Sequence, residues 1–142
     1  MSELKMDHAA LEAFMASEFP QVSRSLSLRS VAPFRLDMAL LADPGNLRPG
    51  GTVSGPALFG LADVGVYLAV LSMIGPQALA VTTSASIDFM RKPPAGVEVL
   101  AEVELLKLGR KLAVGDARMF ATLPDDRVLV ARASLTYSIP NS

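Results

Sequence analysis

The sequence predicts an α+β fold in which an antiparallel sheet wraps around one long central helix. Three observations carry this expectation. The stretch from Pro56 to Met73 is apolar on nearly every side, as a helix buried all round must be. Downstream of it, apolar and polar residues alternate with period two through four successive segments. A sheet with one apolar face must cover that face, and the apolar helix is the best cover the chain offers.

Taken in order, Asp7 to Glu18 carries Ala10, Leu11, Phe14 and Met15 at the spacing of one helix face, and Pro20 ends it. Leu26 and Leu28 alternate with Ser and Arg. After Pro33 the alternation resumes as Phe34, Leu36, Met38 and Leu40, which reads as two strands or as one strand broken at Pro33. Asp43 to Gly51, rich in Gly and Pro, reads as a loop. Ser54-Gly55-Pro56 then has the form of a helix start, a capping residue followed by proline in the first turn. The helix stops at Gly75-Pro76. Ala57, Gly60, Ala62, Gly65 and Ala69 are small enough to let other backbone approach it.

The remaining segments read as a meander of four long strands. In the first, Val81, Thr83, Ala85, Ile87 and Phe89 share one face against Thr82, Ser84, Ser86 and Asp88. Pro93-Pro94-Ala95-Gly96 turns into a strand whose Val97, Val99, Ala101, Val103 and Leu105 oppose Glu98, Glu102 and Glu104. Gly109-Arg110-Lys111 turns into Ala113 to Leu123, and Pro124-Asp125-Asp126 into Val128 to Ile139. Residues 1–142 are expected to form a single domain, with 1–22 as a helical leader.

Composition removes most catalytic toolkits. With 13 basic and 14 acidic residues the formal net charge is −1, which gives no field to collect phosphates, so nucleic acid is not expected as a partner. There is no cysteine, hence no disulfide, thiolate metal site or Cys nucleophile. The one histidine, His8, sits in the leader and is read as a solvated helix residue, so no metal site is expected. The mean hydropathy of +0.39 is high for a soluble chain. A membrane segment within Pro56 to Val81 is disfavoured by Asp63, since a central Asp costs about 2.5–3.5 kcal/mol on insertion scales. The leader has no apolar core of a signal peptide. A soluble, cytoplasmic oligomer is the expectation.

Chemistry can gather at two points. Asp63 is the only charge on the apolar helix, where a carboxylate needs partners if it is buried. It either bonds a neighbouring backbone group or faces water at the helix edge, or it has a functional role. Gly55 lies at the helix start, where free N–H groups and the helix dipole favour negative charge and can stabilise an oxyanion. It is equally a glycine easing the chain into the helix. The two lie about 12 Å apart along the axis, so one copy does not easily serve one carbonyl with both. Two such helices side by side in a dimer could, each lending its start to the other's Asp63. Ser54 lacks the flanking glycines of a nucleophile elbow and reads as a cap. Asp125-Asp126 reads as a solvated turn. Arg91, Lys92, Lys107, Arg110 and Lys111 fall near strand ends, as a solvated rim or as phosphate contacts. Tyr67 and Phe59 read as core.

Three segments in order carry a family resemblance. SGPALFGLAD (Ser54 to Asp63) resembles the motif of hotdog-fold thioesterases of the PaaI-like, phenylacetate-pathway type, which reads His-Gly-Gly and then an apolar helical stretch ending in Leu-Ala-Asp. SIDFMRKP (Ser86 to Pro93) is similar to the family's Ile-Asp-Phe-Leu-Arg-Pro segment. LKLGRKLAV (Leu106 to Val114) is similar to its Gly-Arg or Gly-Lys turn, and the likeness covers most of Phe34 to Tyr137.

The resemblance implies a hotdog fold, and an acyl-CoA thioesterase that needs no cofactor or metal because CoA is part of the substrate. It implies that Asp63 is the general base or nucleophile and that the Gly55 N–H polarises the thioester carbonyl. Asn46 matches a loop Asn near that carbonyl, and Thr82 or Thr83 matches a hydroxyl that orients water. Ser54 stands where the family has its His and Pro56 where it has a second Gly, and Ser54, Arg91, Arg110 and Lys111 are the expected substrate contacts. The family's sites join two subunits, so a homodimer, or a tetramer made of two dimers, is expected. The rival readings are a non-catalytic acyl-CoA-binding hotdog protein and a hotdog hydratase, the latter needing an Asp/His pair for which His8 lies outside the motif region.

Overall fold

The structure, a computed structural model, describes residues 3–21 and 24–140. Residues 1, 2 and 22 of the expected leader lie outside them. Helix α1 (His8–Glu18) is followed by strands β1 (Leu26–Ala32) and β2 (Arg35–Leu40). A short 3-10 turn (Pro44–Asn46) leads to a small hairpin of β3 (Leu47–Arg48) and β4 (Thr52–Val53). Helix α2 (Gly55–Ile74) comes next, then β5 (Val81–Phe89), β6 (Val99–Leu108), β7 (Leu112–Leu123) and β8 (Asp126–Ser138).

Six strands form one antiparallel sheet in the order β1-β2-β6-β7-β8-β5. The alternation at Pro33 is therefore two strands, joined through Pro33 and Phe34, whose φ of 64° closes the turn. The expected meander of four is a correction. Only β6, β7 and β8 are consecutive neighbours, while β5 pairs with the far side of β8 as the sheet's edge. Pro93-Pro94-Ala95-Gly96 is accordingly a crossing connection and not a hairpin turn. Neither proline has an N–H for a ladder. Instead the Pro93 carbonyl accepts from Val53 N–H at 2.9 Å, and Ala95 N–H donates to the Gly51 carbonyl at 3.0 Å. The expected loop at Asp43 to Gly51 is in this way partly ordered as turn and strand. Alternation identifies strands, but it does not identify their partners.

Helix α2 lies in the concavity of the sheet, with Leu58, Leu61, Val66, Leu68, Val70 and Leu71 at most 2% exposed. It is long and apolar enough to cross a membrane, yet most of it is covered by the sheet, and it is the core helix of this fold. Small residues allow the close packing. A Cβ at Gly65 would meet Val103 at 3.0 Å, and one at Gly115 on β7 would meet Val66 Cγ1 at 2.8 Å. Gly60 does not take this part, having nothing within 4 Å of a built Cβ. Gly75, with φ 97°, ends the helix, its N–H donating to the Leu71 carbonyl at 2.8 Å.

Helix α1 is capped by Asp7, whose side chain accepts from Ala10 N–H at 2.9 Å, and buries Leu11 and Met15. Just before it, Lys5 and Met6 N–H groups donate to the Ser72 carbonyl at 2.7 and 3.2 Å, tying the N-terminal segment to the end of α2. His8 is not simply solvated. Its Nε2 lies 3.0 Å from the Leu28 carbonyl and its Nδ1 3.3 Å from Glu12, so it bridges α1 to β1.

Because Val66 is β-branched and stiff, overpacking at Gly115 has no cheap relief. Gly115→Ala is expected to lower stability by about 1–3 kcal/mol in denaturant titration. Val66→Ala added to it should recover part of that loss, whereas independent additive losses would show that the two do not touch.

Candidate active site

The charge on α2 has found partners. Thr82 Oγ1 donates to Asp63 Oδ1 at 2.6 Å, and Tyr137 Oη lies 2.5 Å from the same oxygen and 2.9 Å from the Asp63 backbone carbonyl. Thr82 and Tyr137 face each other across β5 and β8. A bulge at Thr83 interrupts that pairing, which runs Thr82↔Tyr137 and then Ser84↔Thr136. Simple alternation put Thr82 on the face away from Val81, Thr83 and Ala85. The bulge, an extra residue that locally re-aims a strand, lets Thr82 meet the helix instead. Thr83 points elsewhere, being exposed with its Oγ1 3.4 Å from the Thr136 carbonyl. Of the two threonines, only Thr82 is brought to Asp63.

Tyr137 was not among the candidates read from the sequence. It stood as one more residue of an alternating strand, and only its register opposite Thr82 reveals it. Burial, and next its hydrogen bond with Asp63, push its phenol far above the usual tyrosine range. Tyr67, one helical turn beyond Asp63, is also raised, first by burial and then by the charge of Glu18.

Asp63 opens onto a cleft of about 450 Å³ lined by Met15, Phe19, Val64, Tyr67, Thr82 and Tyr137, among others. Its walls are mostly apolar. Phe14, Phe19 and Tyr67 pack ring on ring, Phe19 meeting Tyr67 edge-on at 5.6 Å, and Tyr67 continues to Tyr137 at 5.8 Å. Residues read as leader and core thus build the wall beside the carboxylate. A second cleft, of about 520 Å³, lies on the outer face of the sheet between charged side chains such as Arg35, Glu104 and Asp116, away from the helix.

The other candidates gather at the start of α2. Ser54 caps the helix, its Oγ accepting from Ala57 N–H at 3.2 Å. Gly55 opens it, where the first N–H groups have no acceptor within the helix. The missing side chain leaves room for the Phe89 ring, 3.3 Å from where a Gly55 Cβ would stand. Asn46 is fastened beside this start, because its carbonyl accepts from Ser54 N–H at 2.8 Å and its Oδ1 from Asp43 N–H at 3.0 Å. Gly55 therefore sits under the Phe89 end of β5 and Asp63 under the Thr82 end. Within one chain the two groups stay apart.

The basic residues divide likewise, all with exposed side chains. Arg91 follows the Phe89 end, its N–H donating to the Val130 carbonyl at 3.1 Å. Arg110 and Lys111 form the β6–β7 turn at the Asp63 end, where Ile139 N–H donates to the Lys111 carbonyl at 2.8 Å. Among the described residues no cluster of His, Cys, Asp or Glu is suited to a metal ion.

Known proteins resemble this chain in sequence and fold. The sequence profile of the thioesterase superfamily matches residues 50–136. The Pseudomonas aeruginosa protein PA0474, which is named as an esterase, is 31% identical over 112 residues, covering 79% of this chain and 81% of its own. Among solved structures, a protein of Silicibacter sp. TM1040 described as a thioesterase is 48% identical, with a TM-score of 0.88 over 99% of this chain and 96% of that one. A mutant of the phenylacetic acid degradation protein PaaI from Thermus thermophilus is 27% identical, with a TM-score of 0.74 over 85% of this chain and 99% of that one. The chain belongs to the thioesterase superfamily, in the PaaI-like hotdog fold, and thioester hydrolysis is the chemistry that this membership assigns to it.

Proposed function

We propose that the protein hydrolyses an acyl-CoA thioester to the free acid and CoA, at a site that two subunits complete. The observation carrying this reading is the Asp63 carboxylate, oriented by two hydroxyls in the lining of an apolar cleft. Such a carboxylate either takes a proton from water, which then attacks the thioester carbon, or attacks that carbon itself to give an acyl-Asp63 anhydride that water cleaves. In both routes the carbonyl oxygen becomes an oxyanion and the CoA thiolate departs, to be protonated afterwards. The oxyanion is matched by the Gly55 N–H at a helix start. Asn46 lies beside that donor.

The need for a second copy follows from distance. Asp63 and Gly55 of one chain lie about 12 Å apart along the helix. Strand β5 is an unpaired edge with Val81 and Phe89 each more than half exposed, a surface that invites strand pairing. Antiparallel pairing of two β5 strands about their middle sets the Thr82 end of one against the Phe89 end of the other. The Asp63 of each subunit then meets the Gly55 of its partner. The CoA phosphates are assigned to Arg110 and Lys111 of one subunit, with Arg91 arriving from the other, and Ser54 lies at the same seam. The acyl group is assigned to the cleft beneath Met15 and Phe19.

Thiol release from a panel of acyl-CoAs tests the chemistry. Asp63→Asn is expected to lower kcat about a hundredfold or more while the protein stays folded. Equal rates would remove Asp63 from the mechanism, and acyl-CoA retained by wild type without thiol release would identify a binding protein instead. The shared site has its own test. Asp63→Asn and Gly55→Pro subunits, each inactive alone, should recover part of the activity when refolded together, because one hybrid site regains both groups. A monomer in light scattering sinks this model.

A further inference from the structure

We propose that Tyr137 is a positioning residue that, together with Thr82, fixes which oxygen of Asp63 reacts. This rests on the thioesterase reading of Asp63 given above. A carboxylate oxygen has two lone-pair sites. Both sites of Oδ1 are taken, one by the Thr82 hydroxyl at 2.6 Å and one by the Tyr137 hydroxyl at 2.5 Å. Among the described residues no group donates to Oδ2. The oxygen that meets water or the thioester is therefore Oδ2, and its direction is set by the two bonds that hold its twin.

The Tyr137 hydroxyl also lies 2.9 Å from the Asp63 backbone carbonyl, so one proton is shared between the side chain and the main chain of the same residue. That fork ties the carboxylate to the helix axis as well as to the sheet. Its donor is dependable, since burial and the neighbouring carboxylate keep the phenol protonated throughout the range in which an enzyme works. The ring is held separately, by its contact with Tyr67 at 5.8 Å, so removing the hydroxyl alone leaves the packing in place.

The groups around Asp63 that titrate are few. Strand β8 supplies Tyr137, α2 supplies Tyr67, and α1 supplies Glu18, whose charge reaches Tyr67. Strand β5 contributes Thr82, which does not titrate, at this end. Loss of the Tyr137 hydroxyl opens one of the two occupied positions on Oδ1 and frees the carboxylate to turn.

The test is Tyr137→Phe, read in two ways. KM should stay within about twofold and kcat should fall about tenfold, as expected for misplacing a reacting group without loss of binding. The Asp63 carboxyl carbon signal, compared by NMR between the free variant and the free wild type at one pH, should move, because Oδ1 has lost a donor. An unmoved carboxyl signal together with unchanged kcat overturns the proposal. So does a variant that merely melts earlier, with KM and kcat both poorer and the Asp63 signal unmoved. If wild type hydrolyses no thioester, the thioesterase reading fails, and the carboxyl signal alone still decides whether Tyr137 governs Asp63.

Discussion

Burial of α2 is the constraint on which the rest depends. A twenty-residue apolar helix cannot remain in water, and the six-stranded sheet supplies the surface that encloses it. Enclosure forces the strands of both halves of the sequence into one sheet, with β2 docking on β6 across the helix. It also forces a close approach, which Gly65 and Gly115 permit. The N-terminal segment then has a place to go, because the covered end of α2 offers the Ser72 carbonyl and α1 closes over the remaining apolar surface.

Within that enclosure a charge is costly unless its partners are built in. Asp63 is tolerated because β5 and β8 each supply a hydroxyl at the point where they cross the helix. Structural necessity and the proposed chemistry thus coincide. The bonds that make the carboxylate bearable inside the fold are also those that orient it in the wall of the cleft. Helix α1, which by spacing alone is only a leader helix with one apolar face, gains a second part, since Met15 and Phe19 wall the space beside the carboxylate.

The fold was legible wherever period and punctuation are local. Ser54-Gly55-Pro56 and Gly75-Pro76 bracket the long helix to within a residue, and the alternation marks the long strands. What period two cannot encode is pairing, which is why β5 read as the neighbour of β6 although it lies beyond β8. The candidate site was legible where one residue breaks a pattern, as Asp63 does on its helix, and the Gly55 segment was legible through resemblance. It was illegible where the arrangement around Asp63 depends on cross-strand register. Tyr137 breaks no pattern at all, and the choice between Thr82 and Thr83 rests on a bulge that no composition announces.

That bulge has a consequence for how the strand can change. Thr83 is the extra residue that brings Thr82 round to the helix, and its own side chain faces outward with little to do. Its identity can drift freely, but its presence cannot. Deleting one residue there flattens the pleat, turns Thr82 away and slides every later residue of β5 along its neighbour. Natural variation in this segment should therefore be rich in substitutions and poor in insertions and deletions, so that the count of residues, more than their kind, carries the information.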